Sequence, residues 1–285
     1  MRVNNKEMLA EWIVERENIL ARKSHGFNAP WTDNAVMQTT YFCNVHREDD
    51  KVTKWIRKRW DDAHSMNAVD IADVEANMCM ARLVNRISSL ESLDWPWDKW
   101  QPKRFQDVAE MYAREGDPFW GSAYVVTTHG QPIGKVGYVS GVLQEAFKQL
   151  PITNTAYTLT AYHKRLTALE GFGSFMAAQV VADLKNTDYH PLREARDWHT
   201  WSAPGPGSLR GLTWFFDAEL KGKKVTPSTF GGYIREAWDW ARPKLPPGLR
   251  DLCMQDFQNC LCEYDKFMRV TTGAGKSKRK YRGEG

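Results

Sequence analysis

The sequence has few cysteines and no long hydrophobic run, and both absences limit the class of protein. Five cysteines in 285 residues, an odd number spread along the chain, fit reduced thiols rather than a disulfide framework. Cys260 and Cys262 lack the paired spacing of a zinc site, so we predict no metal. No stretch approaches the roughly 18 apolar residues of a membrane-spanning helix, and charged and amide residues interrupt any signal peptide at the N-terminus. We therefore expect no membrane binding and a place in the cytoplasm of the cell that makes the protein.

Aromatic residues, in contrast, are abundant. The chain has 13 Trp, 12 Phe and 10 Tyr, and 42% of its residues are hydrophobic. A composition this rich in apolar bulk excludes disorder of the whole chain. The length allows one large domain or two small ones.

Helical periodicity dominates the chain. Apolar residues recur every three or four positions in residues 3–24, from about Asn34 to Trp55 and Ile56, in Val69–Ile87 and in Phe105–Glu115. Further helices are predicted from about Val142 onward, in Ala161–Leu169, Ser174–Leu184, Gly207–Leu220, Thr229–Ala241 and Leu252–Arg269. No repeat and no Gly/Ser linker precedes residue 271. We therefore predict a single helical domain over residues 1–270.

One segment departs from the helical period. Ala123–Thr128 and Val136–Val139 are β-branched and aromatic, and a segment with two glycines and a proline separates them. This pattern predicts a β-hairpin. The predicted fold class is therefore mostly α with a small β-hairpin insertion.

The C-terminal residues 271–285 carry the net charge of the chain, which is +4. They are rich in glycine and contain Lys276, Lys278, Arg279, Lys280 and Arg282 against Glu284. Such a composition is typical of a flexible arm that binds nucleic acid by its phosphates. A tail that only keeps the protein soluble has the same composition, and charge alone does not separate the two.

The segment Gly171-Phe172-Gly173 lies between two predicted helices. Two glycines permit a tight turn and let the amides at the start of the next helix face a phosphate. This arrangement predicts a helix–hairpin–helix that grips the DNA backbone, although a plain connection between helices fits equally well. Asp197 follows Gly173 by 24 residues. In this the chain resembles the helix–hairpin–helix DNA glycosylase superfamily, whose catalytic aspartate follows the hairpin at about this distance.

Four motifs together support a more specific resemblance. They are Phe42–Asp50 (FCNVHREDD), the glycine hairpin with Gln179 and Asp183, Gly205–Leu212 (GPGSLRGL), and Gln258–Lys266 (QNCLCEYDK). In this order they resemble the alpha-glutamyl/putrescinyl thymine pyrophosphorylase family of phage DNA hypermodification enzymes. That family is also met as the helical domain attached to hydroxymethyluracil DNA kinases. The resemblance covers about residues 35–270, and without a kinase domain the chain looks like the stand-alone transferase.

The resemblance implies a reaction. Its substrate is DNA whose 5-hydroxymethyluracil a kinase has already activated as a phosphate or pyrophosphate ester. An amino acid or a polyamine then replaces that leaving group, and the product is a hypermodified thymine. No cofactor motif is visible, and we predict no cofactor.

The reaction needs groups for the base and for the leaving phosphate. A base flipped from the stack is usually received by aromatic side chains, for which Trp198, Trp201 and Phe172 are candidates, although core packing explains each of them too. Arg210 and Arg47 are the candidates for stabilising the phosphate. Arg47 has a structural alternative, which is pairing with the acidic residues 48–50 on a helix face.

An amine nucleophile must lose a proton before it attacks, so a general base is needed. Asp197 is the leading candidate and His199 the next; a carboxylate at 197 could instead hold the ammonium group of the donor. The substrate-binding candidates are Asn44, Asp50, Gly171, Phe172, Gly173, Gln179, Trp198, Gly205, Gly207, Ser208, Asn259, Glu263 and Lys266. Glu263 and Lys266, three residues apart, form an ion pair or line the pocket. The amides of Asn44 and Asn259 suit uracil or a carboxylate but also helix caps.

Two other functions remain open from the sequence. One is a DNA glycosylase in which Asp197 stabilises the sugar cation, and the other is a DNA-binding module without catalysis. An abasic site in treated DNA would single out the glycosylase. A binding module would leave the DNA chemically unchanged.

Overall fold

The computed structural model describes residues 4–122, 128, 130, 132–150, 158–188 and 190–275. In these ranges the chain is mostly α-helical, which confirms the predicted mostly α class, and it contains no β-strand. The α-helices are α1 Asn5–Ser24, α2 Ala35–Thr39, α3 Lys51–Ser65, α4 Val74–Val84, α5 Ile87–Ser92, α6 Pro102–Glu115, α7 Lys135–Gln149, α8 Leu159–Leu166, α9 Ser174–Leu184, α10 Pro206–Phe215, α11 Asp217–Leu220, α12 Phe230–Ala241 and α13 Met254–Thr271. Short 3-10 helices lie at Arg47–Asp49, Ile71–Asp73, Pro191–Glu194, Arg242–Lys244 and Pro247–Leu249.

The predicted β-hairpin is wrong in its second strand. Val136–Val139 lie in helix α7, and residues 123–127 of the first predicted strand lie outside the described residues. The helix buries Tyr138, Val139, Val142, Leu143 and Ala146, which recur at helical spacing. Burial along this face outweighs the β propensity of the valines, because propensity is weaker than tertiary packing.

Two predicted helices are shorter than the periodicity indicates. The helix predicted from Asn34 ends at Thr39, and an irregular segment precedes α3, which begins at Lys51. The helix predicted over Val69–Ile87 begins as a 3-10 turn and ends at Val84 with Asn85 in the left-handed conformation. The predictions for α1, α6, α9 and α13 are confirmed within a few residues.

The described residues divide into two compact units, which we treat separately. The terminal unit comprises Met1–Asp50 and His199–Gly285, and the central unit comprises Lys51–Trp198. The single domain predicted over residues 1–270 stays a prediction. The basic residues predicted to bind DNA at positions 276–282 lie outside the described residues.

In the terminal unit, α10 packs along α13, and α1 and α12 complete one hydrophobic core. Its fully buried members include Leu9, Ile13, Leu212, Phe257 and Tyr264. In the central unit every residue of α4 is buried, because α7 and α9 pack on it. A helix that is buried on all sides is the centre of a helical domain. None of the helices in the described ranges is long and apolar enough to cross a membrane.

Candidate functional site

Two of the four sequence motifs meet in the terminal unit. The segment Tyr41–Asp50, which we call the 40s loop, lies against helix α13. Glu263 Oε2 accepts a hydrogen bond from the Cys43 amide at 3.1 Å and from Lys266 Nζ at 2.6 Å. Lys266 Nζ also donates to the Tyr41 carbonyl at 3.2 Å. Glu263 and Lys266 therefore form an ion pair, and that pair joins the helix to the loop.

The asparagines of these motifs shape the 40s loop. The backbone amide of Asn44 donates to Asp50 Oδ1 at 3.2 Å, and the side-chain Nδ2 of Asn44 donates to the Asp49 carbonyl at 3.0 Å. Asn259 Nδ2 on α13 donates to the Asn44 carbonyl at 3.4 Å. The structure thus brings Asn44, Asp50 and Asn259 together, and their contacts are those of a loop that closes on itself.

Two arginines are buried beside this loop. Arg47 lies in the 3-10 turn, where its backbone amide donates to Asp256 Oδ1 at 3.1 Å. Arg16, which the sequence analysis missed, reaches from α1 and donates from Nη2 to the Phe42 carbonyl at 3.2 Å. Burial lowers the pKa of Arg16, while the nearby Glu263 carboxylate opposes that shift. The sequence feature that could have revealed Arg16 is its position on the apolar stripe of α1, four residues after Trp12.

The thiols of the same region stay protonated at neutral pH. Burial, with the nearby Glu263 carboxylate, raises the pKa of Cys262 to about 12. Burial and Glu263 also raise the pKa of Cys43 far above its usual range. The thiolate is the reactive form of cysteine, so neither residue is an activated nucleophile.

The Gly-Pro-Gly motif begins helix α10 and serves its packing. Gly205 is the residue before the helix, and Ser208 Oγ accepts a hydrogen bond from its amide at 3.1 Å. A side chain at Gly207 would meet Cys262 Sγ at 3.1 Å, and one at Gly211 would meet the Leu261 carbonyl oxygen at 2.2 Å. Glycines four residues apart thus allow α10 to approach the backbone of α13.

We expect Gly211→Ala to destabilise the terminal unit by about 2–3 kcal/mol, because the added methyl group overlaps a backbone oxygen that cannot rotate away. Gly232→Ala is the matched control, since that glycine lies in α12 with open space around it. Urea denaturation of both variants measures the difference. Equal stabilities would show that the close approach of α10 to α13 has no energetic weight.

Arg210 projects from α10 toward a buried carboxylate. Its Nε donates to Asp265 Oδ2 at 2.9 Å, and its Nη2 lies 2.8 Å from the same oxygen. Arg269 Nε donates to that oxygen at 3.2 Å, and Trp214 Nε1 donates to Asp265 Oδ1 at 3.2 Å. The side chain of Asp265 is 1% exposed, whereas those of Arg210 and Arg269 are 52% and 33% exposed. We call Arg210 and Arg269 the arginine pair; one carboxylate holds both, and the group keeps a net positive charge.

The other predicted residues lie in the central unit, apart from His199 and Trp201. Asp197 Oδ1 accepts from the Leu159 amide at 2.7 Å, and its Oδ2 accepts from the amide and the hydroxyl of Thr160 at 3.0 and 2.7 Å. These are the first residues of α8, whose amides have no partner within the helix. Asp197 therefore caps the N-terminus of α8.

Replacing Asp197 with Ala removes these three hydrogen bonds, and we expect it to lower the free energy of unfolding by about 1–2 kcal/mol. Glu194→Ala is the control, because Glu194 is an exposed acidic residue of the preceding 3-10 helix. Thermal unfolding followed by circular dichroism measures both. Equal melting temperatures would contradict the capping role.

Helices α8 and α9 pack against each other and are joined by the predicted glycine turn. Gly171 has φ +83°, and a side chain there would lie 2.6 Å from Val142 Cγ2. Gly173 precedes α9 with open space around its Cα, whereas Phe172 is buried in the core. Gln179 is half-buried on α9, and the indole of Trp198 donates to the Lys185 carbonyl at 3.3 Å. The turn therefore connects two packed helices, and its predicted grip on the DNA backbone stays a prediction.

His199 and Trp201 begin the second segment of the terminal unit. His199 is exposed, and its carbonyl accepts a hydrogen bond from the Met254 amide at the start of α13 at 2.9 Å. Trp201 is buried. Besides His199, the terminal unit therefore holds ten predicted catalytic or substrate-binding residues, which lie on two structures. The 40s loop and α13 carry Asn44, Arg47, Asp50, Asn259, Glu263 and Lys266. The start of α10 carries Gly205, Gly207, Ser208 and Arg210.

The chain is similar to proteins of phage DNA modification. The family described as "5-hmdU DNA kinase, helical domain" matches residues 4–277. A curated relative, the 5-hmdU DNA kinase of Bacillus phage SP10, is 22% identical over 286 residues, which cover 90% of this chain and 43% of the relative. The chain thus spans less than half the length of that relative. No solved structure matches the chain. Because the match extends over nearly the whole chain, including both segments of the terminal unit, this protein belongs to the family of 5-hmdU DNA kinase helical domains.

Proposed function

We propose that the chain transfers an amine to activated 5-hydroxymethyluracil in DNA. The nitrogen of an amino acid or another amine attacks the methylene carbon at position 5 of the base. A carbon–nitrogen bond forms, the carbon–oxygen bond to the phosphate or pyrophosphate breaks, and the leaving group departs with the electron pair. The attacking nitrogen gives its proton to a base. The product is a hypermodified thymine, so the chain is a transferase of the alpha-glutamyl/putrescinyl thymine pyrophosphorylase type.

The arginine pair is the observation that carries this proposal. By its name, the phage relative phosphorylates 5-hmdU in DNA, and its product would be the phosphate ester that such a transfer consumes. Phosphate leaving with its negative charge needs fixed positive groups, and guanidinium is the side chain best suited to it. The Nε edge of Arg210 is held by the buried Asp265, so the exposed part of the guanidinium is oriented before substrate arrives. Asp265 thereby acts as a positioning residue.

The residues near the 40s loop supply the other parts of the proposal. Arg47 is the second proposed ligand of the phosphate, while Asn44 and Asn259 shape the loop beside it and Lys266, paired with Glu263, fastens that loop to α13. Of the two candidate general bases, the contacts favour His199, an exposed imidazole at the start of a segment of this unit. Asp197 is engaged by three donors at α8, which supports a positioning role for it.

Binding to DNA is proposed for the central unit and for the basic tail. Helix α3 exposes Lys51, Lys54 and Lys58 at helical spacing along one side. The α8–α9 turn, with Gly173 before the first amides of α9, is proposed to contact a phosphate. Trp198 of the same unit is proposed to stack on a base of the bound DNA. Lys276, Lys278, Arg279, Lys280 and Arg282 of the tail add attraction that salt would screen.

Mass spectrometry of nucleosides tests the function. DNA that carries phosphorylated 5-hydroxymethyluracil is incubated with the protein and with single amino acids or polyamines, then digested. We expect a nucleoside with one added amine and without the phosphate. Loss of the base, with an abasic sugar left behind, would make the protein a glycosylase. An unchanged digest with DNA bound to the protein would make it a binding module.

A further inference from the structure

A pocket of about 490 Å³ lies beside α1 in the terminal unit, outside the residues used above. Its walls come from the second half of α1 and from the segment before α2, and they include Glu15, Arg22, Trp31 and Asp33. The volume is in the range of sites for small molecules. The pocket contains charges of both signs, so its chemistry is that of a polar ligand.

Arg22 is fixed in this pocket by one of its nitrogens. Its Nη1 donates to Glu15 Oε1 at 3.0 Å and to the Trp31 carbonyl. Burial works to raise the pKa of Glu15, but hydrogen bonds from Thr32, Arg22 and Asn18 lower it, so the carboxylate stays ionised. The Nε and Nη2 atoms of Arg22 make no hydrogen bond within the described ranges. A guanidinium edge held in this way is a site for a carboxylate.

Asp33 supplies the opposite charge. It is exposed on the same pocket, and in the part of the chain that the structure describes it has no hydrogen bond and no ion pair. A carboxylate there attracts an ammonium group. A ligand with both a carboxylate and an ammonium group therefore matches the pocket. A polyamine matches it less well, because it has no carboxylate for the exposed edge of Arg22 and would place a cation there instead.

We propose that this pocket binds a free α-amino acid, with its carboxylate on Arg22 and its ammonium on Asp33. The proposal rests on the proposed function, from which the need for an amine donor comes, and it selects amino acids over polyamines as donors. Helix α1 both lines the pocket and contacts the 40s loop. Glu15 lines the pocket, and the next residue, Arg16, donates to the Phe42 carbonyl of that loop.

Isothermal titration calorimetry of the full chain tests the proposal without DNA. The titrants are the 20 standard L-amino acids singly, the α-carboxamide of each one that binds, and putrescine. We expect at least one amino acid to bind, and its carboxamide and putrescine to bind at least tenfold more weakly. Arg22→Gln and Asp33→Asn should each weaken binding at least tenfold, and the control Glu11→Gln, an exposed residue of α1, should not change it.

Asp33→Asn decides the outcome, because Asp33 has no described contact whose loss could unfold the protein. Absence of binding for every amino acid, or unchanged binding to Asp33→Asn, overturns the proposal. Failure of the proposed function gives a different result, in which binding depends on Asp33 but activated DNA gains no amine. If DNA is modified with the same KM for the amino acid by the wild type and by Asp33→Asn, the function holds and the pocket is not the donor site.

Discussion

Arg210→Gln should lower kcat/KM for amine transfer by about 100-fold or more, which corresponds to about 3 kcal/mol of transition-state stabilisation. The variant removes the charge that we propose for the leaving phosphate, but Asp265 keeps hydrogen bonds from Arg269 and Trp214. We therefore expect the fold to remain intact. Steady-state kinetics with DNA that carries phosphorylated 5-hydroxymethyluracil measures the effect.

The matched control for this experiment is Arg235→Gln. Arg235 is an exposed arginine of α12 in the same unit, and it is not part of the arginine pair. If both variants lose activity equally, the effect is one of net charge and DNA affinity. If neither loses activity, Arg210 does not bind the leaving group.

The second large effect is expected on stability, at the ion pair between Arg82 and Asp183. The two side chains are 3% and 0% exposed and form a two-point contact between α4 and α9. Arg82 also donates to Thr53 Oγ1 at 3.0 Å and to Asn85 Oδ1 at 3.3 Å. Removing either partner leaves the other charge buried, so Arg82→Ala or Asp183→Ala should lower the free energy of unfolding by about 3–5 kcal/mol.

Urea denaturation of the two single variants and of a double variant, Arg82→Met with Asp183→Leu, measures this effect. We expect the double variant to be more stable than either single one, because apolar side chains of similar volume carry no buried charge. If the free energy of unfolding of each single variant lay within about 1 kcal/mol of the wild-type value, the predicted contribution of the ion pair to stability would be contradicted.

The helices were predictable where apolar spacing and end signals agree. Helix α6, predicted from Phe105, begins at Pro102 and ends at the predicted Glu115, directly before Gly116, which has φ +73°. Helix α9 follows Gly173 at the residue predicted. The hairpin prediction failed at Val136–Val139 because β-branched residues pack equally well on a buried helical face. The prediction of one helix from Asn34 to Ile56 was wrong because the 40s loop, which interrupts it, is held by contacts with α13, more than 200 residues away in the chain.

The candidate site was predictable in its motifs but not in its partners. The pair of Glu263 and Lys266 follows from their spacing on one helix. Arg16 and Asp265 were missed, because each acquires its role from a residue far away in sequence. Their signal is a charge on an otherwise apolar helical face, which predicts a buried partner without naming it. Gly207 was predicted to bind substrate and Gly211 was not singled out, because the close approach of α13 to both comes from residues about 50 positions later in the chain.

Release of labelled phosphate tests the central claim most directly. DNA in which each activated 5-hydroxymethyluracil carries a radioactive phosphate is incubated with the protein, with and without an amine. The account predicts that label is released only when an amine is present, with one leaving group freed for each amine incorporated. Release without an amine, or with formation of abasic sites, would contradict amine transfer as the function of this domain.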